Sequence, residues 1–315
     1  MQGAWGFWVL DNGGGVGYNA AAKAEETVLI VEFVLVVGRY GARLRVRRRF
    51  CEENGMKIYI MTDMEGISGV RNEAQTEPGT PAFEAARPLL CADVNAAIAG
   101  AFDGGAKEVL VNDGHGGGAS FLLDRMDSRA RYERPDGSRN YLPGLDETFG
   151  GVFIVGAHAM AGTLNAFLDH TQSSTTWFNY YINNRKCGEI GQVGAIAGHY
   201  GVPVLLVTGD VKACAEARDF FGDIDTVAVK EAIGRSFARC IHPEKTADMI
   251  RKAAKRAMGR VGKIKPWTLK LPIEIKLEVT RSNYADNLAK NEGVEREDAR
   301  TVRKLVRNAR DILWL

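Results

Sequence analysis

Two carboxylates two residues apart, Asp63 and Glu65, follow the short apolar run Lys57 to Thr62. At the end of a strand, side chains at this spacing project from the same face. Adjacent anions repel, so a site that keeps both ionised at neutral pH needs a compensating cation, and a metal is the most effective one. Alone, the pair reads as a turn cap beside a solvated glutamate. Two histidines shift that balance. His115 and His158 each stand just past a strand-like run, in loops of small residues, and the chain has only five histidines. Neutral imidazole is the commonest metal ligand. Glu189, in Cys187-Gly-Glu-Ile-Gly191, opens a helix after a glycine, where its carboxylate can cap the helix or reach a metal in the same crevice.

The elements that must position these groups alternate between apolar, β-branched runs and longer segments of helical period from Met56 onward. Strands are expected over Lys57 to Thr62, Glu108 to Asn112, Gly151 to Val155, Val202 to Thr208 and Asp225 to Val229. Helices are expected over Ala82 to Asp103, Glu189 to Tyr200, Val211 to Phe221 and Pro243 to Met258. This order predicts an α/β fold, a doubly wound and mostly parallel sheet with sites beyond the carboxyl ends of its strands. After Lys265-Pro266 the run Ile273-Glu-Ile-Lys-Leu-Glu-Val279 alternates strictly, as a half-exposed antiparallel strand does. A second strand, Thr301 to Val306, and a short terminal helix, Ala309 to Leu315, complete a smaller α+β domain. The domain expectation is therefore residues 56–262 for the α/β domain that carries the site and 263–315 for the appendage.

The motifs Asp63-Met-Glu-Gly-Ile-Ser-Gly69, Val111-Asn-Asp-Gly-His115, Gly156-Ala-His158, His170 and Gly188-Glu-Ile-Gly191 occur in that order. The chain thereby resembles the bacterial zinc-dependent D-aminopeptidase (DppA-type) family from Met56 to about residue 260. The resemblance implies a two-zinc centre in which Asp63 bridges and Glu65, His115, His158 and Glu189 complete the ligand set, with His170 catalytic. It implies an aminopeptidase that removes an amino-terminal residue, a D-amino acid, from short peptides. It also implies a two-domain subunit in a ring-based homo-oligomer, a decamer. The chemistry of the residues agrees: three carboxylates and two neutral imidazoles bring three negative charges against the four positive charges of two zinc ions, leaving room for a bridging hydroxide that is nucleophilic near neutral pH. Mn²⁺ and Co²⁺ suit the same donors.

Composition sets the wider limits. A hydrophobic content of 45% over 315 residues supports a sizeable core, and a net charge of +2 gives no field that would draw nucleic acid or an anionic membrane. The five cysteines are widely spaced and form no C-x-x-C pair, as expected of reduced thiols in a cytoplasmic protein. His199 and His242 have no acidic partner in sequence and read as structural, and Asp210 reads as a helix cap or a partner of a ligand histidine. Gly114-His-Gly-Gly-Gly118 lacks the lysine and hydroxyl of a phosphate loop, so its glycines serve to give the backbone room around His115.

Residues 1–55 differ from the rest, with Gly13-Gly-Gly15, the apolar run Thr27 to Gly38 and the basic tract Arg43 to Arg49. The apolar run is too short for a membrane span and has no basic segment before it. These residues are expected to be a non-native or disordered extension, with translation starting at Met56. Two other functions compete with the peptidase. A metal-dependent phosphohydrolase can use the same two-metal centre but needs cations for phosphate, which the strand-end motifs lack. A non-enzymatic small-ligand binding protein would use the acids and histidines structurally and hold no metal.

Overall fold

The computed structural model describes residues 56–135 and 141–315 in full, and of residues 1–55 the backbone of four strands. These are β1 (Trp5–Leu10), β2 (Val16–Ala24), β3 (Thr27–Gly38) and β4 (Gly41–Glu52), paired antiparallel in chain order and forming a compact unit of their own, Met1–Gly55. Met56–Leu315 is the second compact unit.

That second unit is organised around β5 (Lys57–Thr62). Ile58 and Ile60 pack into one apolar cluster while Tyr59 and Met61 pack into another, and all four are buried. A strand covered on both faces belongs in the middle of a parallel sheet. Its neighbours are β6 (Glu108–Asp113) on one side and β8 (Phe149–Ala157) on the other, both parallel. The sheet continues outward to β7 (Arg131–Glu133) beyond β6. Beyond β8 come β11 (Val204–Asp210), β12 (Asp225–Gly234) and the antiparallel edge strand β13 (Phe237–Cys240).

Helices α1 (Pro81–Asp103) and α4 (Pro243–Met258) cover the Ile58 face, through residues such as Leu90, Val94 and Ile98 of α1 and Ile250, Ala253 and Ala257 of α4. Thr80 caps α1, its Oγ1 accepting from the Phe83 amide at 3.0 Å, with Pro81 in the first turn, where its missing N–H costs nothing. The Tyr59 face is covered by α2 (Glu189–His199) and α3 (Val211–Phe221). His242 caps α4, which gives that histidine a structural role.

A second, antiparallel sheet is added to this frame. Its central strand β14 (Ile273–Val279) buries Ile273, Ile275, Leu277 and Val279 and leaves the residues between them half-buried, as the alternation predicts. The sheet is not confined to the chain after residue 263. β9 (Trp177–Ile182) and β10 (Arg185–Lys186), from within the α/β segment, pair on one side of β14. β16 (Thr301–Val306) and β15 (Val294–Arg296) lie on the other. The loop expected between β14 and β16 contains a short helix, α5 (Ser282–Leu288). The terminal helix expected over Ala309 to Leu315 is only the 3-10 turn Ala309–Asp311. The segment is too short to repay helix nucleation, and the Asn308 side chain takes the Arg310 amide at 2.9 Å.

Two glycines let the site form. The Asp63 amide bonds the Val155 carbonyl at 2.9 Å and the Gly66 amide bonds the Gly156 carbonyl at 2.7 Å, laying the loop after β5 directly on the end of β8. Gly156 has φ +86°, and a Cβ there would stand 2.1 Å from the Asp63 carbonyl oxygen, while a Cβ on Gly66 would stand 2.1 Å from that of Ala157. Gly156→Ala is therefore expected to cost about 1–3 kcal/mol or more, through overlap and backbone strain together. Denaturant unfolding measures this, and a variant as stable as the parent would contradict the backbone contact.

Candidate metal centre

Asp63 and Glu65 leave the end of β5, His115 follows β6 and His158 follows β8, so three adjacent strands deliver four groups to one crevice. Glu189, the first residue of α2, and His170, from the segment between β8 and β9, complete the cluster. The two oxygens of Asp63 face different histidines: Oδ1 lies 3.0 Å from His115 Nδ1, and Oδ2 lies 3.3 Å from His158 Nε2. Glu65 Oε2 is 3.3 Å from His115 Nδ1, and Glu189 Oε1 is 3.4 Å from His158 Nε2 and 3.8 Å from His170 Nε2. The His158 and His170 rings stack at 3.9 Å between centroids. His115 is followed by three glycines with positive φ, Gly116 to Gly118, which turn the chain sharply away beneath it.

The opposite nitrogen of each ring meets a backbone carbonyl. His115 Nε2 is 2.7 Å from Thr76 O, His158 Nδ1 is 3.0 Å from Ala159 O, and His170 Nδ1 is 2.8 Å from Leu168 O. A neutral imidazole has a single N–H, and donating it to the carbonyl leaves the lone pair of the other nitrogen aimed at the carboxylates. A lone pair facing an anionic oxygen at about this range is repulsive unless a cation lies between them. Glu65 Oε2 and His158 Nε2 are buried without a hydrogen-bond partner. Asp63, Glu65 and His158 each offer one donor atom within 4.8 Å of the others, as do His158, His170 and Glu189. This donor set suits a divalent metal.

When protons rather than a metal neutralise the cluster, the histidines take them. Burial works against a charged His115, but the Glu65 charge and the Asp63 hydrogen bond outweigh it and push the ring up to about 12. Burial likewise opposes a charged His158, and Glu189 carries it well above the usual imidazole value. Burial would raise Glu65 and Glu189, yet the His115 charge holds the first well below the usual carboxylate range and the His158 charge lowers the second.

The segment bearing His170 is strained and heavily tied down. Asn165, Leu168 and Gln172 all have positive φ, uncommon without glycine and found where surroundings over-determine the backbone. The Phe167 amide donates to Asp210 Oδ2 at 3.2 Å, Leu168 to the Arg235 carbonyl at 2.8 Å, and Gln172 to Glu189 Oε1 at 2.7 Å. Asp210 thus caps α3, through the Ala213 amide at 2.8 Å, and also anchors the His170 segment; its bonds go to backbone amides rather than to a ligand histidine. The contributions of Thr76 and Gln172 are made by main-chain atoms, which leave no signal in residue type.

A family model described as D-aminopeptidase, peptidase family M55, matches residues 56–314. The chain belongs to the D-aminopeptidase family. A D-aminopeptidase of Bacillus subtilis (strain 168) is 35% identical over 214 residues, covering 68% of this chain and 77% of that protein. A solved structure, the Zn-dependent D-aminopeptidase DppA from Bacillus subtilis, described as a self-compartmentalizing protease, superposes with a TM-score of 0.79 at 31% identity. It covers 82% of this chain and 94% of its own. Membership makes this chain a zinc metallopeptidase, and the α/β unit with a smaller second sheet is the fold it shares with that structure.

Two tests follow from the geometry. His115→Ala or His158→Ala should lose most of one bound metal and nearly all turnover while the fold survives; near-stoichiometric metal with parental rates would contradict the site. Because His115 and His158 hold protons in the metal-free cluster, zinc loading at neutral pH must expel them. Calorimetric titration in two buffers of different ionisation enthalpy should report net proton release, and buffer-independent heats would contradict the arrangement.

Proposed function

We propose that the protein is a two-zinc aminopeptidase that removes an amino-terminal D-residue from short peptides or amino acid amides. The observation that carries this reading is the division of Asp63, one oxygen toward His115 and the other toward His158. In this reading two ions would be held by Asp63 together with Glu65 and His115 on one side and with Glu189 and His158 on the other. Zinc held there supplies Lewis acidity for a peptide carbonyl and a nucleophile at neutral pH.

The chain's own groups do the rest. The carbonyls of Thr76 and Ala159 fix the tautomers of His115 and His158, so that their lone pairs stay on the crevice side. The Leu168 carbonyl does the same for His170, leaving Nε2 as the atom that exchanges a proton. Stacked on His158, that nitrogen is placed to hand a proton to the leaving amine or to steady a developing oxyanion. The D preference rests on family membership and on the curated relative. A ring-based homo-oligomer, a decamer, is proposed from the same likeness, since the solved relative is described as self-compartmentalizing. Free Cys91, Cys187, Cys214 and Cys240 accord with the cytoplasm as the proposed place of action. Among the described residues no helix is long and apolar enough to cross a membrane.

The deciding assay is a hydrolysis screen of paired D- and L-aminoacyl amides, dipeptides and a phosphoester with added Zn²⁺. Cleavage of the D-substrates alone is expected; phosphoester turnover without peptidase activity would replace this reading. His170→Ala should keep both metals and lose about 100-fold to 10,000-fold in kcat, the range of a general acid or base, or roughly 2.7–5.5 kcal/mol of transition-state stabilisation. Zinc per subunit measured on the same preparation separates this from ligation. Full metal with full activity would remove His170 from the mechanism, and metal lost together with activity would make it a ligand.

A further inference from the structure

Lys230 is buried in β12, 2% exposed, directly after the buried Val229. Strand alternation would turn one of the two outward. The pairing with β11 slips by one residue between Gly209 and Asp210, so that Asp210 stands opposite Lys230 instead of Val229. An extra residue of this kind re-aims a side chain, and here it sends the lysine inward.

The ammonium ends on the backbone of the segment that carries Asp63 and Glu65. Nζ donates to the Glu65 carbonyl at 2.6 Å and to the Val70 carbonyl at 2.5 Å. It also lies 4.7 Å from the centre of the Phe167 ring, in the segment that carries His170. A second buried charge holds the same loop: Asp93 of α1, 1% exposed, accepts from the Ser68 amide at 2.8 Å. An ammonium has three donors and no acceptor, so its buried position is tolerable only where carbonyls and a ring face receive it. One side chain thus ties together two carbonyls five residues apart, and an opposite charge pins the amide between them.

We propose that Lys230 and Asp93 are positioning residues that clamp the Asp63–Val70 segment, and with it the Asp63 and Glu65 carboxylates, in the geometry that receives metal. The proposal rests on the reading of those carboxylates as zinc ligands. Groups that orient ligands from behind commonly govern metal affinity by about 10- to 100-fold. A clamp differs from simple charge balance in its expected response to removal of both charges. Neutralising both partners can relieve an unpaired buried charge, but it cannot restore the hydrogen bonds to the Glu65 and Val70 carbonyls.

The test compares Lys230→Met, Asp93→Asn and the double variant with the parent full-length protein. Zinc dissociation constants come from chelator competition, thermal unfolding is followed on the metal-free proteins, and kcat and KM are measured with a D-aminoacyl amide. Lys230→Met should weaken zinc about 10- to 100-fold and lower kcat with little change in KM. Asp93→Asn should lose less in the same direction, because the amide oxygen can still accept from Ser68. The double variant should regain stability relative to Lys230→Met while zinc stays weak. Zinc affinity that is unchanged in Lys230→Met, or that returns to the parental value in the double variant, would overturn the clamp. If Lys230→Met does not fold, Asp93→Asn and the double variant carry the comparison, and parental zinc affinity in both overturns it equally. A parent protein that binds no zinc would overturn the metal reading and the clamp together, whereas zinc bound equally well by parent and variants overturns the clamp alone.

Discussion

Repulsion among Asp63, Glu65 and Glu189, gathered in a crevice largely shielded from water, is the constraint around which the rest of the structure is arranged. Very few protein donors are spent on them: Asp63 Oδ1 receives the Met64 amide at 2.8 Å and Glu189 Oε1 the Gln172 amide at 2.7 Å. What remains unbalanced must be answered by histidines or by metal, and the backbone carbonyls behind the histidines favour metal. Once the extra protons leave, each carbonyl takes the one N–H of a neutral ring, so the face turned to the carboxylates presents a lone pair. The cluster stores an electrostatic demand that a bound divalent metal would relieve.

Holding such a cluster open requires a rigid frame, and the sheet supplies it at the point where its winding reverses. From β5 the chain proceeds through β6 and β7 toward one edge, then returns to β8 and builds through β11 and β12 toward the other. The crevice at a switch of this kind is where open α/β sheets place their sites. Here it lies between β5 and its two neighbours, and the contact between Gly66 and Gly156 keeps the β5 loop within reach of His158. The strained turn through Leu168 brings His170 over the same opening.

Much of this was legible in the residues. The run Lys57 to Thr62 announced a buried strand because Ile58-Tyr-Ile-Met61 is continuously apolar, and α3 and α4 were bounded by Asp210, Pro243 and the glycines that follow each helix. The clustering of Asp63, Glu65, His115 and His158 could be anticipated because strand ends of one parallel sheet converge, whereas Glu189, at the start of α2, was pointed to as a ligand only by the family resemblance. Other features carried no signal. β9 joins the smaller sheet through long-range pairing with β14, which its own sequence, Trp177-Phe-Asn-Tyr-Tyr-Ile182, does not specify. The inward turn of Lys230 depends on a register slip between strands, and period-two reasoning along β12 alone would miss it. The tautomers of the histidines are set by main-chain carbonyls, to which residue type is blind.

The central claim, that Asp63 stands between two metal positions, is tested most directly by anomalous scattering from crystals of the zinc-loaded protein measured on both sides of the zinc edge. The account predicts two peaks per subunit flanking the Asp63 carboxylate, one beside Glu65 and His115 and the other beside His158 and Glu189. A single peak, or two peaks that do not share Asp63, would contradict it.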